Sequence, residues 1–401
     1  MTFKQYITRT VNKLRVHLGA LPGNLLSFII DSVLVLTVRA KKHVSSDKVL
    51  VIRLDAIGDF VLWTQYAKAL RKIYPSEKYK LILLGNRLWS ELATDFDVFD
   101  EVLPLNTDAY KTKIKYHWQM AKKIRSGGFG IALHPAYSRL FALGDSIIRI
   151  SGAKEKTGFA GDNSVELPVW KTISNRWYSN LFFSVSKELN ELERNAEFLN
   201  KLGLKNFQPV LPSLEIKGDL PGYLKGKKYY ILFPGAAVGR RQWETFKFAE
   251  IAEMLNEKTG WTGVICGGPS EKILGEELIR TIKSPVMDFV GKTSLDELIT
   301  IIGNSQMVIA NETSAVHIAA ATGVKSVCLL GGGHYGRFVP YPSSVTAGKN
   351  ISRFSFYKMP CYGCDWKCIY QVSKKYPAPC VSNITVDNTW EIIEELLNGK
   401  S

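Results

Sequence analysis

The chain has 401 residues, room for two or three domains, and its 46% apolar and 22% charged residues form a globular composition that excludes wholesale disorder. Lys and Arg total 52 against 37 Asp and Glu, a formal net charge of +15, so the expected partners are anionic: nucleic acid, anionic lipid or phosphorylated small molecules. No run reaches the roughly 18 uninterrupted apolar residues of a membrane-spanning helix.

The basic excess begins at the N-terminus. Residues 1–43 carry Lys4, Arg9, Lys13, Arg15, Arg39, Lys41 and Lys42 against Asp31 alone, a net +6. The stretch Leu25–Val38 is apolar but interrupted by Ser27, Asp31 and Ser32. At helical spacing Asn24, Ser27 and Asp31 share one face, leaving Leu26, Ile29, Ile30 and Val33 opposite. Such a helix suits an anionic membrane surface, or it docks on the protein's own body. Asp31 and the lack of a small-x-small site argue against a cleaved signal peptide.

From Lys48 the pattern changes. Lys48–Leu54 (KVLVIRL) is a β-branched run of the buried parallel kind, followed by the turn Asp55–Asp59 and a helical pattern over Val61–Tyr74. Lys80–Gly85, Asp100–Leu105 and Gly130–His134 read as strands, separated by helical stretches such as Lys113–Ser126 and Arg139–Ile150. Glu191–Leu202 closes this half as a helix, and the proline-bearing segment Gly203–Lys228 reads as a linker. The alternation restarts with strands Tyr229–Phe233, Gly263–Cys266, Met307–Asn311 and Ser326–Leu330. Helices are expected over Thr245–Lys258, Ser270–Ile282, Ser294–Gly303 and Ser314–Thr322.

Strands alternating with helices imply an α/β fold class: two doubly wound Rossmann-like domains facing across a cleft, with ligands at the C-terminal strand ends. The expected organisation is a basic amphipathic segment (1–46), a Rossmann-like domain (47–205), a linker (206–228) and a second Rossmann-like domain (229–350). A Cys-rich lobe (351–385) and a C-terminal helix (386–401) follow.

In the first turn, Gly58 permits a tight strand-to-helix reversal, and Asp59 either caps its helix or faces the cleft as a base. The turn lacks a G-x-G-x-x-G fingerprint, which disfavours a nicotinamide or flavin oxidoreductase. After Tyr229–Phe233, small residues from Gly235 lead to paired Arg240 and Arg241, a loop suited to closing on an anion. In Asn311–Gly323 (NETSAVHIAAATG) hydroxyl residues precede a small-residue helix. Its first N–H groups, at Thr313, Ser314 and Ala315, suit a diphosphate, with His317 one turn inside. Glu312 would repel phosphate, so sugar or ribose hydroxyls are its expected partners. Gly331–Gly333 form a second flexible turn at the same sheet edge. His17, His43, His117, His134 and His334 show no spacing that suggests a site.

In their order, RLDAIGD, PGAAVGRRQW, GGPSE, GKTSL and NETSAVHIAAATG resemble the glycosyltransferase family 9 heptosyltransferases, over about Lys48–Tyr341. The resemblance implies the GT-B architecture, inversion without a required metal, an ADP-activated sugar donor in a donor-binding domain (229–350), and a lipopolysaccharide-core or other lipid-linked glycan acceptor on an acceptor domain (47–205). It makes Asp59 the base and puts Arg241 where the family usually has a lysine facing the diphosphate. It sets Thr313, Ser314 and His317 at the diphosphate-binding helix start, and Glu271 and Thr293 at nucleoside contacts. Glu312 stands where an aspartate is usual, and Glu244 where proline is common; these departures bear on the identity of the sugar. A related transferase using another nucleotide sugar, such as a UDP-sugar, is one alternative. A non-catalytic basic glycan- or nucleic-acid-binding protein is the other, although no nucleic-acid scaffold is recognisable.

Cys361, Cys364, Cys368 and Cys380 fall within twenty residues, a spacing that resembles thiolate sites for structural zinc or iron; free thiols are the other reading. Cys266 and Cys328 lie in strands and read as core. The expected setting is cytoplasmic, peripheral on the inner face of a bacterial plasma membrane.

Overall fold

The computed structural model describes residues 3–40, 45–346, 352–370, 372–373 and 375–399, with side chains described from Gly19 onward. Lys41, Lys42 and His43 and the side chains of Lys4, Arg9, Lys13, Arg15 and His17 lie outside that set. The chain divides into two compact units, residues 10–209 and a second built on residues 210–401.

In the first unit, strands β1 (Ser45–Arg53), β2 (Lys80–Asn86), β3 (Glu101–Leu105), β4 (Phe129–His134), β5 (Glu155–Phe159) and β6 (Asn180–Phe182) form one parallel sheet in the order β3-β2-β1-β4-β5-β6. β1 is central because Val49, Leu50, Val51 and Ile52 are apolar toward both faces and fully buried. β5 and β6 were not expected: Glu155–Phe159 (EKTGF) and Asn180–Phe182 (NLF) lack a β-branched run, and they pair at the far edge of the sheet. The expected helix Arg139–Ile150 is instead a π-turn, Phe141–Asp145, running into a short helix, Ser146–Ile150. Gly144 lies against the His134 ring, where a Cβ would fall 2.2 Å from a ring carbon.

The N-terminal helix, Phe3–Thr37, has a stretch, Gly19–Thr37, long and apolar enough to cross a membrane by length and composition. Its polar face is nevertheless buried against the first unit. Asp31 accepts from His117 Nε2 at 2.8 Å, Asn24 donates to Glu166 at 2.9 Å, and Arg149 reaches the Ser32 hydroxyl at 2.8 Å. Leu34 enters the same core as Leu50, Ile52 and Ile147. Docking therefore runs through the face that sequence periodicity assigns to water. Leu25, Leu26, Ile29, Val33 and Leu36 are left exposed, while Ile30, expected with them, is buried.

In the second unit, β7 (Tyr229–Phe233), β8 (Thr262–Ile265), β9 (Val286–Asp288), β10 (Met307–Asn311), β11 (Ser326–Leu329) and β12 (Ser352–Ser355) are parallel in the order β12-β11-β10-β7-β8-β9. Both sheets therefore place the first strand of the unit beside its fourth. The strand order reverses between β1 and β4 and between β7 and β10, and loops at such points splay apart to leave a crevice at the C-terminal strand ends. The helix Val386–Leu397 packs back on this unit through Ile393 and Leu396.

Candidate functional site

In the first unit the crevice-side turn after β1 leads into the helix Ile57–Leu70. Its N-cap is Ala56, which makes no side-chain cap; Asp59 is the third helical residue, half-buried, where the helix dipole favours a carboxylate. Gly58 is an ordinary first-turn helical residue and not a left-handed hinge. Arg53, at the end of β1 and fully buried, pairs with Asp55 at 2.8 Å and donates to the Asp59 carbonyl at 3.4 Å. Nearby, His134 at the end of β4 bonds the Tyr178 hydroxyl, which donates to Asp145 at 2.6 Å. Burial and the Arg139 and Arg53 charges depress His134 to about 3, so it stays neutral.

In the second unit the residues after β7 and β10 come together. Asn311, at the end of β10, donates to the Pro234 carbonyl at 2.6 Å and accepts the Trp243 N–H at 3.0 Å, tying down both ends of the Pro234–Trp243 loop. That brings Arg241 onto the start of the next helix. Its Nη2 donates to the Glu312 carbonyl at 2.5 Å and lies 3.4 Å from the Glu312 carboxylate. Glu312 is buried, and neither carboxylate oxygen has a hydrogen-bond partner. Burial pushes its pKa up, against the pull of Arg241 and Arg337.

Thr313 occupies the N-cap of the helix Ser314–Thr322, but its hydroxyl makes no cap and is buried without a partner. Ser314 is the first helical residue, and Gly323 ends the helix in the left-handed conformation. His317 bonds the Tyr341 hydroxyl at 2.8 Å; burial and the Arg241 charge hold it near 3, so it too is neutral. Two buried, unsatisfied polar groups beside a cation and a helix start are what a ligand with hydroxyls and an anion would complete.

Glu271 joins this edge from the short 3₁₀ turn Pro269–Glu271, accepting the Gly268 N–H at 2.7 Å. Gly235 leaves room for Glu271 there: a Cβ would fall 1.7 Å from the carboxylate and displace it. Thr293 is half-buried in the loop before the helix Leu295–Gly303.

Arg240 does something else: it donates to the Trp366 carbonyl at 3.3 Å and to the Val372 carbonyl at 3.0 Å, holding the Cys-rich lobe rather than offering itself to an anion. Gly331–Gly333 is likewise no open turn; a Cβ on any of the three would fall 2.3 Å from a Trp366 or Tyr362 ring carbon. The side-chain placement lends no support to the metal expectation for Cys361, Cys364, Cys368 and Cys380. Among the described residues no group of three or more His, Cys, Asp or Glu side chains is placed to hold a metal ion. Cys364, Cys368 and Cys380 are buried, the last two in an apolar core with Val381 and Ile384. Burial and the neighbouring thiols push Cys364 up to about 11 and raise Cys380. Sequence reading missed Asn311, Tyr341 and Trp366, none of which carries an isolated chemical signal.

Two parallel sheets of this order define a GT-B-like α/β protein. The family model described as "Glycosyltransferase family 9 (heptosyltransferase)" matches residues 146–365, and the chain belongs to that family. It is 32% identical over 114 residues to lipooligosaccharide heptosyltransferase 2 of Haemophilus influenzae, covering 27% of this chain and only 33% of that protein. It is 21% identical over 287 residues to lipopolysaccharide heptosyltransferase 3 of Escherichia coli, covering 68% of this chain and 80% of the relative. The crystal structure of a family 9 glycosyl transferase from Veillonella parvula superposes with a TM-score of 0.68 at 17% identity, covering 89% of this chain and 99% of the other.

Proposed function

We propose that the protein is an inverting glycosyltransferase that moves heptose from ADP-heptose to a lipopolysaccharide-core or other lipid-linked glycan. The observation that carries this reading is the buried Glu312 carboxylate, unsatisfied beside Arg241 at a helix start. Arg241 and the N–H groups of Thr313–Ala315 would bind the diphosphate, and Glu312 and Thr313 would take donor-sugar hydroxyls. Glu271 would meet the nucleoside. Asp59 would accept the acceptor hydroxyl's proton as that oxygen attacks the anomeric carbon. The anomeric C–O bond breaks on the opposite face and ADP leaves with its electron pair, stabilised by Arg241 and the helix start.

Calorimetry with ADP and with ADP-heptose tests this. Arg241→Ala is expected to weaken both ligands, and Glu312→Ala to weaken the nucleotide sugar more than ADP. Wild-type binding of both ligands by both variants overturns the site. Tighter binding of a UDP-sugar than of ADP-heptose would favour the alternative donor.

The protein is further proposed to work at the inner face of a bacterial plasma membrane. Support comes from the exposed stripe Leu25, Leu26, Ile29, Val33 and Leu36 on a helix in a segment of net charge +6. Each cation near an anionic surface contributes about 1 kcal/mol of attraction. The double variant Ile29→Glu, Val33→Glu should fold normally and stop sedimenting with vesicles containing phosphatidylglycerol; unchanged sedimentation removes the stripe from membrane binding.

A further inference from the structure

Beyond β12 the Cys-rich lobe belongs to neither sheet, yet it is joined to the edge where Arg241 lies. The Gly363 N–H donates to the Gly332 carbonyl at 2.8 Å and the Asp365 N–H to the Gly333 carbonyl at 2.9 Å. Arg240 adds its two bonds to lobe carbonyls, and the Ala378 N–H returns one to the Arg240 carbonyl at 3.0 Å. These bonds hold Asp365 and Trp366 in the left-handed region, at φ 51° and 58°, where residues with a Cβ are strained by about 1–3 kcal/mol each. Such strain persists only where the surroundings over-determine it, and here its effect is to set one ring. The Trp366 indole covers Gly331 and Gly333, its Nε1–H is buried without a partner, and the Arg241 guanidinium carbon lies 5.5 Å from its ring centroid.

We propose that Trp366 is a positioning residue for the donor diphosphate, holding one face of the Arg241 guanidinium while Glu312 holds its edge. The proposal rests on the donor-site reading above. A free arginine side chain surrenders rotamer freedom when it clamps an anion. Arg241 is already fixed, by Glu312 through Nη2 and by the ring through a cation–π contact, and its Nε is buried with no other partner. This arrangement also accounts for the use of arginine here: its planar group stacks on an aromatic face, which an ammonium does less well. The lobe then has a role in the donor site without contributing a ligand of its own.

The test is a double-variant cycle in the full chain, read by ADP calorimetry, with thermal melts to confirm folding. Trp366→Leu keeps an apolar seat over the glycine turn and removes the π face; it should bind ADP about 3- to 30-fold more weakly. Trp366→Phe should retain most of the affinity. In an Arg241→Ala background Trp366→Leu should cost nothing further, whereas a merely structural role would lower affinity in both backgrounds. Wild-type ADP affinity in Trp366→Leu, or additive losses in the cycle, overturns the proposal. If Arg241→Ala itself leaves ADP binding unchanged, the donor-site reading fails first, so the two failures are distinguishable. Should Trp366→Leu not melt cooperatively, the comparison of Trp366→Phe with wild type and within the Arg241→Ala background decides, a large loss in either overturning the proposal.

Discussion

The two units repeat one strand order, and each buries a histidine–tyrosine pair near the C-terminal end of its sheet. His134 meets Tyr178 and His317 meets Tyr341, both at 2.8 Å, and burial with a nearby arginine holds both imidazoles near 3. The difference lies in what surrounds the pair. In the first unit Tyr178 passes its proton's bond to Asp145, Asp145 pairs with Arg139 at 3.4 Å, and Arg139 bonds Asn175. In the second unit the neighbouring carboxylate, Glu312, accepts no hydrogen bond at all. A linked buried network rigidifies a fold, whereas a buried carboxylate without donors costs stability until something supplies them. The comparison sets a carboxylate with its hydrogen bond in place, Asp145, against one short of donors, Glu312, on the same framework.

The sharpest test of that contrast removes one group from the proposed site and one from the scaffold. Asp59→Asn should lower turnover by about 10²–10⁴-fold, the usual worth of a general base, while ADP affinity and the melting curve stay near wild type. Transfer assays at saturating donor measure it; wild-type turnover would reduce Asp59 to a first-turn carboxylate that only favours its helix dipole. Asp31→Ala addresses the scaffold. It leaves His117 Nε2 buried without its hydrogen-bond partner and should cost about 1–3 kcal/mol by chemical denaturation, the usual penalty for a stranded buried polar group. A loss below 1 kcal/mol would mean the N-terminal helix contributes little to the first unit. By the same reasoning a chain beginning at Ser45 should be destabilised, not merely released from membranes.

Much of this was legible in the sequence. Central strands are continuous apolar runs buried on both faces, so β1, β7 and β10 stand out without any structure. Glu191–Leu202 is bounded by a capping box from Asn190 and Glu193 and by Gly203, and both ends are readable. Edge strands such as β6 and β9 are short and half-exposed, so periodicity carries no signal for them. The site was legible as chemistry but not as assignment. Two adjacent arginines look alike in sequence, and only the fold sends Arg241 to Glu312 and Arg240 to the lobe. The N-terminal helix left two readings open for a related reason. Periodicity shows that Asn24, Ser27 and Asp31 share a face, but whether that face meets water depends on Glu166, His117 and Arg149, which are distant in the chain.

The smallest expected effect concerns the cost of leaving Glu312 unsatisfied. Burial raises its pKa above the unfolded value of about 4.3, so the folded chain binds this proton more tightly than the unfolded chain does. Stability from this group is therefore present at acidic pH and is lost as pH rises through the raised value. Glu312→Gln removes the charge while keeping the shape, so the ligand-free variant should melt a few degrees above wild type at pH 8, and the two should converge near pH 4. The buried histidines run the other way: His134 and His317 are depressed, so the stability they carry above about 6.5 is lost as pH falls toward 3. They are present in both proteins, and their contribution cancels in the difference between wild type and variant. Calorimetric melts at pH 4, 6 and 8 give the comparison, and a gap that does not change with pH would trace the effect to packing. The same variant should bind ADP-heptose more weakly than wild type, because the carboxylate that destabilises the empty site is the group proposed to receive the sugar hydroxyls.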